Sequence, residues 1–293
     1  MEWLVAGLVR FVFWLLRLLG PNTAPRIGAA VARALGPLTP AHRIAMDNIR
    51  ASFPEADTTW HRDVARQAWD NLGRTACEYV HLQTLWDLDP ENPQRPDRRV
   101  FCTPETEQRF KDLADDGRGA LIFAAHLANW ELPAVAAHAL GLPAAVLYRT
   151  PNNKAVAADI LALREPMMGT LIPAGLMAPT RMAKAVGAGM HVGMLVDQRF
   201  GRGPRITFLG RECAANPLLA NLAGRFDVPV HGTRAVRLPG GRIRLDLTEE
   251  IIMPRTEEGT VDVPAATAVM NAVIEGWVRE HPGQWLWMHR RWR

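Results

Sequence analysis

The spacing of apolar and polar residues changes character twice along the chain. Residues 3–19 read WLVAGLVRFVFWLLRLL, apolar except for Arg10 and Arg17. Those two arginines are seven residues apart and so share one face of a helix. A spanning helix needs about 20 predominantly apolar residues, and two arginines in mid-segment would be costly at the bilayer centre. The pattern predicts a helix lying in the membrane interface, with Arg10 and Arg17 reaching phosphates and Trp3 and Trp14 at head-group depth. Glu2 replaces the basic start of a secretory signal, and no small-x-small cleavage site follows. A buried core helix ended by Gly20-Pro21 is the other reading of the same residues.

Residues 24–90 carry helical periodicity in three segments, 25–35, 41–52 and 59–86, followed by a polar, proline-bearing linker at 87–99. Beyond it, short apolar runs alternate with helical stretches, which predicts an α/β core behind a helical cap. Strands are expected at 120–125 (ALIFAA), 144–148, 170–173 and 192–196 (VGMLV). Helices are expected at 129–140, 152–164, 179–188, 216–226 and 263–279. A glycine- and arginine-rich loop is expected over 198–210, and a hairpin pairs 229–238 with 243–251 around Pro239-Gly240-Gly241. The division is a docking helix at 1–20, a helical cap and linker at 21–99, and an α/β core at 100–293.

Composition narrows the chemistry. Of 293 residues 48% are hydrophobic and 22% charged, which excludes a disordered or low-complexity chain. A net charge of +4 is too small to argue for nucleic acid, and suits a partner with an acidic surface or anionic head groups. The three cysteines, Cys77, Cys102 and Cys213, stand far apart, so neither a disulfide scaffold nor a zinc ribbon is expected, and no metal site is predicted. Ser52 is the sole serine and lies outside any GxSxG context, which argues against a serine hydrolase of the nucleophile-elbow type.

The segment AAHLANWE (124–131) sets His126 at the exit of a buried strand and Glu131 in the first turn of the next helix, with Asn129 as a candidate N-cap. Residues five apart on one helix point about 140° away from each other. The two side chains therefore meet only if His126 lies in the turn before the helix. With Glu131 on one ring nitrogen, the other becomes a base of fixed tautomer, able to deprotonate a substrate hydroxyl. From spacing alone a second reading stands equally: a histidine satisfied at a strand end, and a carboxylate favourable to the helix dipole.

AAHLANWE, LYRTPNN (147–153), GMLVDQ (193–198), TFLGRE (207–212) and PGQWLWMHRRWR (282–293) occur in an order that resembles the late acyltransferases of lipid A biosynthesis, the lauroyl/myristoyl transferases of Gram-negative bacteria. The resemblance covers nearly the whole chain. It implies a glycerolipid-acyltransferase-like α/β fold, a mixed sheet flanked by helices. It also implies an acyl-carrier-protein thioester as donor, a lipid A precursor as acceptor, and residence at the cytoplasmic face of the inner membrane among its phospholipids. His126 is then the general base and Glu131 its orienting partner, with no cofactor beyond the acyl-ACP or acyl-CoA co-substrate.

Arg149, at a strand end, would stabilise the oxyanion or bind phosphate. Asn129, Asp197, Gln198 and Arg199 are the candidate substrate-binding residues, Asp197 sitting where open α/β sheets carry their sites. Leu209 stands where relatives commonly carry a second phenylalanine. Arg199, Arg202, Arg205 and Arg211 cluster around the glycine-rich loop and suit anionic head-group or carrier-protein contact. In the tail, tryptophans packed on the core with arginines in solvent are expected. Acceptors of another kind, a glycolipid, an ornithine lipid or a lysophospholipid, fit the same dyad.

Overall fold

In the computed structural model, which describes residues 2–87, 95, 97–151 and 153–292, helices come first and a sheet is threaded through the rest. Helix α1 (Glu2–Leu35) leaves helical geometry at Gly20 (φ 73°, ψ 167°), a backbone region open essentially to glycine, and resumes as the segment that begins with Pro21. Gly20-Pro21 thus ends one helical segment and starts the next across a sharp bend. Before the bend the apolar side chains face outward: Trp3, Leu4 and Leu8 are 77%, 80% and 63% exposed. The buried-core reading of this segment is thereby excluded. The stretch Trp3–Leu38 is long and apolar enough to cross a membrane. Arg10 pairs with Asp159 at 2.8 Å, while Arg17 is exposed.

Helix α2 (Pro40–Ser52) leads into α3 (Thr58–Glu78), whose first turn is capped by Asp57 accepting from the Trp60 backbone N–H. The expected helix 59–86 is interrupted, because a 3-10 turn at Tyr79–His81 separates α3 from the single turn α4 (Leu82–Leu85). After its bend α1 crosses α3 at glycines: a Cβ on Gly28 would fall on the Gly73 carbonyl oxygen and the Cys77 sulfur. Most of the linker expected at 87–99 lies outside the described residues, as do Asn152 and Arg293.

The core continues as β1 (Val100–Cys102), α5 (Pro104–Asp115), β2 (Leu121–Ala124), α6 (Leu132–Ala139), β3 (Ala144–Tyr148), α7 (Lys154–Arg164), β4 (Thr170–Pro173), α8 (Ala178–Gly187) and β5 (His191–Leu195). Then come β6 (Arg205–Phe208), β7 (Arg211–Ala214), α9 (Leu218–Arg225), β8 (Val230–Arg237), β9 (Ile243–Leu247) and α10 (Val263–Glu280). Seven strands form one sheet in the order β1-β9-β8-β2-β5-β3-β4, parallel throughout except where β8 meets β9. The expected α/β architecture is the observed one. Parallel strands covered on both faces read as apolar runs, which is why LIFA and VGML stand out in the sequence.

Three local expectations are corrected. Within 198–210, taken for loop, Arg205–Phe208 pairs with Arg211–Ala214 as a hairpin whose two turn residues, Leu209 (φ 52°) and Gly210 (φ 71°), both have positive φ, as a type I′ turn requires. The helix expected from Asn129 begins only at Leu132, because residues 126–131 are spent on the turn. Strand β9 stops at Leu247, short of Ile251.

Leu121, Phe123, Val192 and Met194 pack on one face of the sheet with α8, α9 and α10, and α2 and α3 join that same cluster through Ile49, Phe53 and Val64. On the other face α5 and α6 cover β1, β8 and β9 through Phe110, Leu132 and Leu245. Overfilling a close crossing costs about 1–3 kcal/mol or more. We expect Gly28→Val to lower stability by at least that amount, read as a shift of the urea midpoint, whereas Gly7→Val, in open space before the bend, leaves it unchanged.

Candidate active site

The parallel register of β2 and β5 sets Ala124 opposite Leu195, so two residues further on His126 meets Asp197. The Asp197 carboxylate is 2% exposed. It accepts three hydrogen bonds of 2.8 Å, from the His126 backbone N–H, His126 Nδ1 and the indole Nε1 of Trp285. Its backbone carbonyl accepts from the fully buried Arg291. Burial opposes its ionisation, but attraction to the His126 ring in its protonated form and these hydrogen bonds outweigh that cost and hold the carboxyl well below the ordinary carboxylate range.

With Nδ1–H directed at Asp197, the Nε2 of His126 carries the lone pair. The Gln198 amide donates to it at 3.2 Å, which assigns the tautomer from the network. His126 keeps 15% of its side chain exposed and tilts against Trp130, ring centroids 5.2 Å apart.

Glu131 is engaged elsewhere. It receives Arg164 through both Nε (3.0 Å) and Nη2, and the Trp130 indole at 3.1 Å. The expected His126–Glu131 bond is therefore corrected: the histidine does sit in the pre-helix turn, but the strand register brings Asp197 to its Nδ1. Glu131, at the start of α6, meets the end of α7. Arg164 in turn lies over the rings of Tyr79 and Tyr148.

Two of the expected substrate-binding residues are sealed from solvent. Asp197 serves His126 as described. Asn129 is fully buried; its Nδ2 donates to Glu78 at 2.9 Å and its Oδ1 accepts from the Glu131 N–H at 3.3 Å, a short cap ahead of α6. Arg149, Gln198 and Arg199 line the mouth of a cavity together with His126. Neither Arg149 nor Arg199, both exposed, has an ion-pair partner among the described residues.

That cavity, about 400 Å³, runs from His126 between the sheet and α6. Ile122, Val146 and Leu195 form its sheet wall, Pro133, Ala134 and Ala137 its helix wall, and Phe110 and Leu113 its inner end. Gly193 contributes a strand position with no side chain, which widens the channel. Pockets of roughly 300–1,000 Å³ with few polar groups are typical of small-ligand sites.

The turn that carries His126 is strapped from two sides. Ala128 has φ 45°, unusual for a residue with a Cβ. Its N–H donates to the Gln284 carbonyl, and its own carbonyl accepts from Thr75 Oγ1 at 2.9 Å. Asn71, Thr75 and Glu78 form a buried polar face of α3, with Glu78 joining Asn129 to Arg237. Their spacing of four and three, which sets them on one helical face, is the sequence signal for this stripe. In the tail, Trp285 and Trp287 pack on the core as expected, Arg290 is exposed, and Arg291 is buried instead of solvated. Burial pushes all three thiols up, Cys102 to about 12, which leaves no ready thiolate.

Fold and geometry together define an α/β protein holding a histidine–carboxylate pair at the mouth of an apolar channel. The chain belongs to the bacterial lipid A biosynthesis acyltransferases, whose family model matches residues 1–293. It is 26% identical over 260 residues to the lipid A biosynthesis palmitoleoyltransferase of Escherichia coli (strain K12), covering 85% of this chain and 78% of that one. The lipid A biosynthesis acyltransferase of Shigella flexneri matches with the same identity and coverage. The protein is accordingly an acyltransferase of lipid A biosynthesis.

Losing the carboxylate that orients a catalytic histidine costs about 10⁴-fold in rate in a well-studied triad. Asp197→Asn should lower acyl transfer by about 10³–10⁴-fold. A carboxyl with a depressed folded-state pKa stabilises above its unfolded value, about 3.9, and that stability is lost as pH falls below it. Acid unfolding of Asp197→Asn should therefore depend less on pH below about 4. Removing one partner of a buried ion pair costs about 3–5 kcal/mol. Glu131→Gln should show that loss in chemical denaturation, leaving Arg164 unpaired.

Proposed function

We propose that the protein transfers a fatty acyl chain from an acyl-carrier-protein thioester to a hydroxyl of a lipid A precursor, in a ternary complex at the cytoplasmic face of the inner membrane. The observation that carries this reading is His126, its Nδ1 held by the buried Asp197 and its Nε2 at the mouth of the apolar cavity.

The acyl chain lies in the channel with its thioester carbonyl at the mouth. The acceptor hydroxyl takes the place of the Gln198 amide at Nε2. As its oxygen attacks the carbonyl carbon, the proton passes to His126, and Asp197 stabilises the imidazolium. Arg149 neutralises charge on the carbonyl oxygen, a contribution of several kcal/mol where a fixed cation meets developing charge. Collapse of the tetrahedral adduct breaks the C–S bond, and the imidazolium proton goes to the departing sulfur. No acyl group resides on the protein at any stage, and the chain's own residues suffice without a further cofactor.

The N-terminal half of α1, with its outward tryptophans, docks the enzyme among membrane phospholipids. Arg199 joins Arg149 in receiving the anionic parts of the substrates. Glu131 acts through Arg164, holding the wall of the mouth.

The test is an assay with acyl-ACPs of graded chain length and a lipid A precursor. His126→Ala should lose activity by at least about 10²-fold. A covalent acyl-protein trapped in a single turnover would refute direct transfer. Gly193→Leu, which projects into the channel from a site with no neighbour closer than 3.9 Å, should shift preference to shorter chains without loss of stability. An unchanged chain-length profile would show that the chain lies elsewhere.

A further inference from the structure

A second cleft, about 560 Å³, opens between α1 just past its bend, α3 and the β8–β9 turn. Six arginines line it: Arg26, Arg33, Arg66, Arg74, Arg99 and Arg237. Among the described residues only two carboxylates, Asp70 and Glu78, do so. Both are already engaged, Asp70 by Arg33 and Arg74, Glu78 by Arg237 and Asn129. The remaining cations find little inside the protein. Among the described residues the Arg99 guanidinium reaches the Pro21 carbonyl and the Asn22 side chain and no carboxylate. Arg66, 65% exposed, has the exposed Asp63 at 3.7 Å, and Arg26 has no ion-pair partner among the described residues. Positive charge gathered in a concave site and left unneutralised is a site for an anion, and guanidinium favours phosphate.

Position narrows the source of that phosphate. Strand β8 runs parallel to β2, so the turn after β8 stands at the same end of the sheet as the His126 mouth. Pro21 and Asn22, which line the cleft, directly follow the half of α1 whose apolar side chains face outward. At this same end, after β4, Leu176 is 99% and Met177 58% exposed. We infer that the cleft binds the phosphate of an anionic bilayer lipid headgroup, seating this end of the sheet on the membrane. A concave site with four of its six arginines partly buried fits a small phosphate ester better than the convex face of an acidic protein. The inference does not depend on which residue is the catalytic base.

The test compares binding of the full chain to phosphatidylcholine vesicles with and without phosphatidylglycerol. A basic residue at an anionic surface contributes about 1 kcal/mol, which is about fivefold in affinity. Arg26→Ser/Arg66→Ser should cut the gain conferred by phosphatidylglycerol by about 20-fold, leaving binding to phosphatidylcholine unchanged. Arg118→Ser/Arg255→Ser removes the same charge at the opposite end of the sheet and should retain that gain. Thermal unfolding verifies that both variants fold, as the exposure of all four arginines leads one to expect.

Equal loss in both variants, or none in Arg26→Ser/Arg66→Ser, overturns the proposal. Thermal stabilisation by inorganic phosphate that Arg26→Ser/Arg66→Ser abolishes, with vesicle binding intact, would assign the cleft to a soluble phosphate compound instead. A raised KM for acyl-ACP with vesicle binding intact would assign it to the carrier protein, which also overturns the proposal. Acyl transfer in detergent is read separately, so failure here leaves the catalytic reading standing.

Discussion

An ionised carboxylate buried beside a histidine is the constraint to which the rest of the site answers. Taking such a charge out of water costs several kcal/mol, recovered only when its lone pairs are filled in good geometry. At Asp197 the three donors come from two distant parts of the chain: the backbone N–H and the ring of His126 at the β2 exit, and Trp285 of the tail. Arg291 adds a bond to the adjoining carbonyl and reaches Asn271 on α10. The C-terminal residues are thus part of the site although none of them lines the cavity. Their tryptophans exclude water from Asp197 and supply one of its hydrogen bonds, and both effects strengthen its hold on the imidazole.

The same economy governs the turn. Positive φ at Ala128 and the short span from Ala124 to Leu132 fix where His126 points, and such a conformation persists only when its surroundings over-determine it. The surroundings here are a polar stripe of α3 on one side and residues 284–286 on the other, with Leu286 donating to the His126 carbonyl. Glu78 is held by Arg237 as well as Asn129, so the end of β8 is tied to the turn through one carboxylate. Helices that read in sequence as a separate cap are therefore joined to the His126 turn by hydrogen bonds and to the sheet by a shared core.

What could be read in advance follows from range. Buried parallel strands declare themselves locally, and so do the Pro-Gly-Gly turn and the outward-facing apolar helix. The identity of the carboxylate on His126 does not, because Asp197 lies 71 residues away and only the β2–β5 register brings it there. Glu131 was the natural choice by proximity in sequence, yet Arg164, 33 residues on, claims it. The β6–β7 hairpin hid because Leu209 occupies a positive-φ position usually marked by Asn or Gly. Strand β1 is three residues long, too short for any periodicity to register.

A net charge of +4 understates the electrostatics, because charge is sorted by position. Along the carboxyl ends of β3, β5 and β8 stand Arg149 and Arg199, without ion-pair partners among the described residues, and the arginine cleft beside α1, while the channel behind them is mainly apolar. A thioester with a long chain and an acidic or phosphorylated head has the same division of properties. Its tail gains by leaving water for the channel, at about 25 cal/mol per Å² of apolar surface, and its head gains by staying at the rim with the guanidinium groups. Both gains can be had at once only in one orientation, with the boundary between tail and head at the mouth. In the proposed reaction the thioester carbonyl sits at that boundary, facing His126 Nε2. On that proposal the orientation of the donor follows from its amphipathic character.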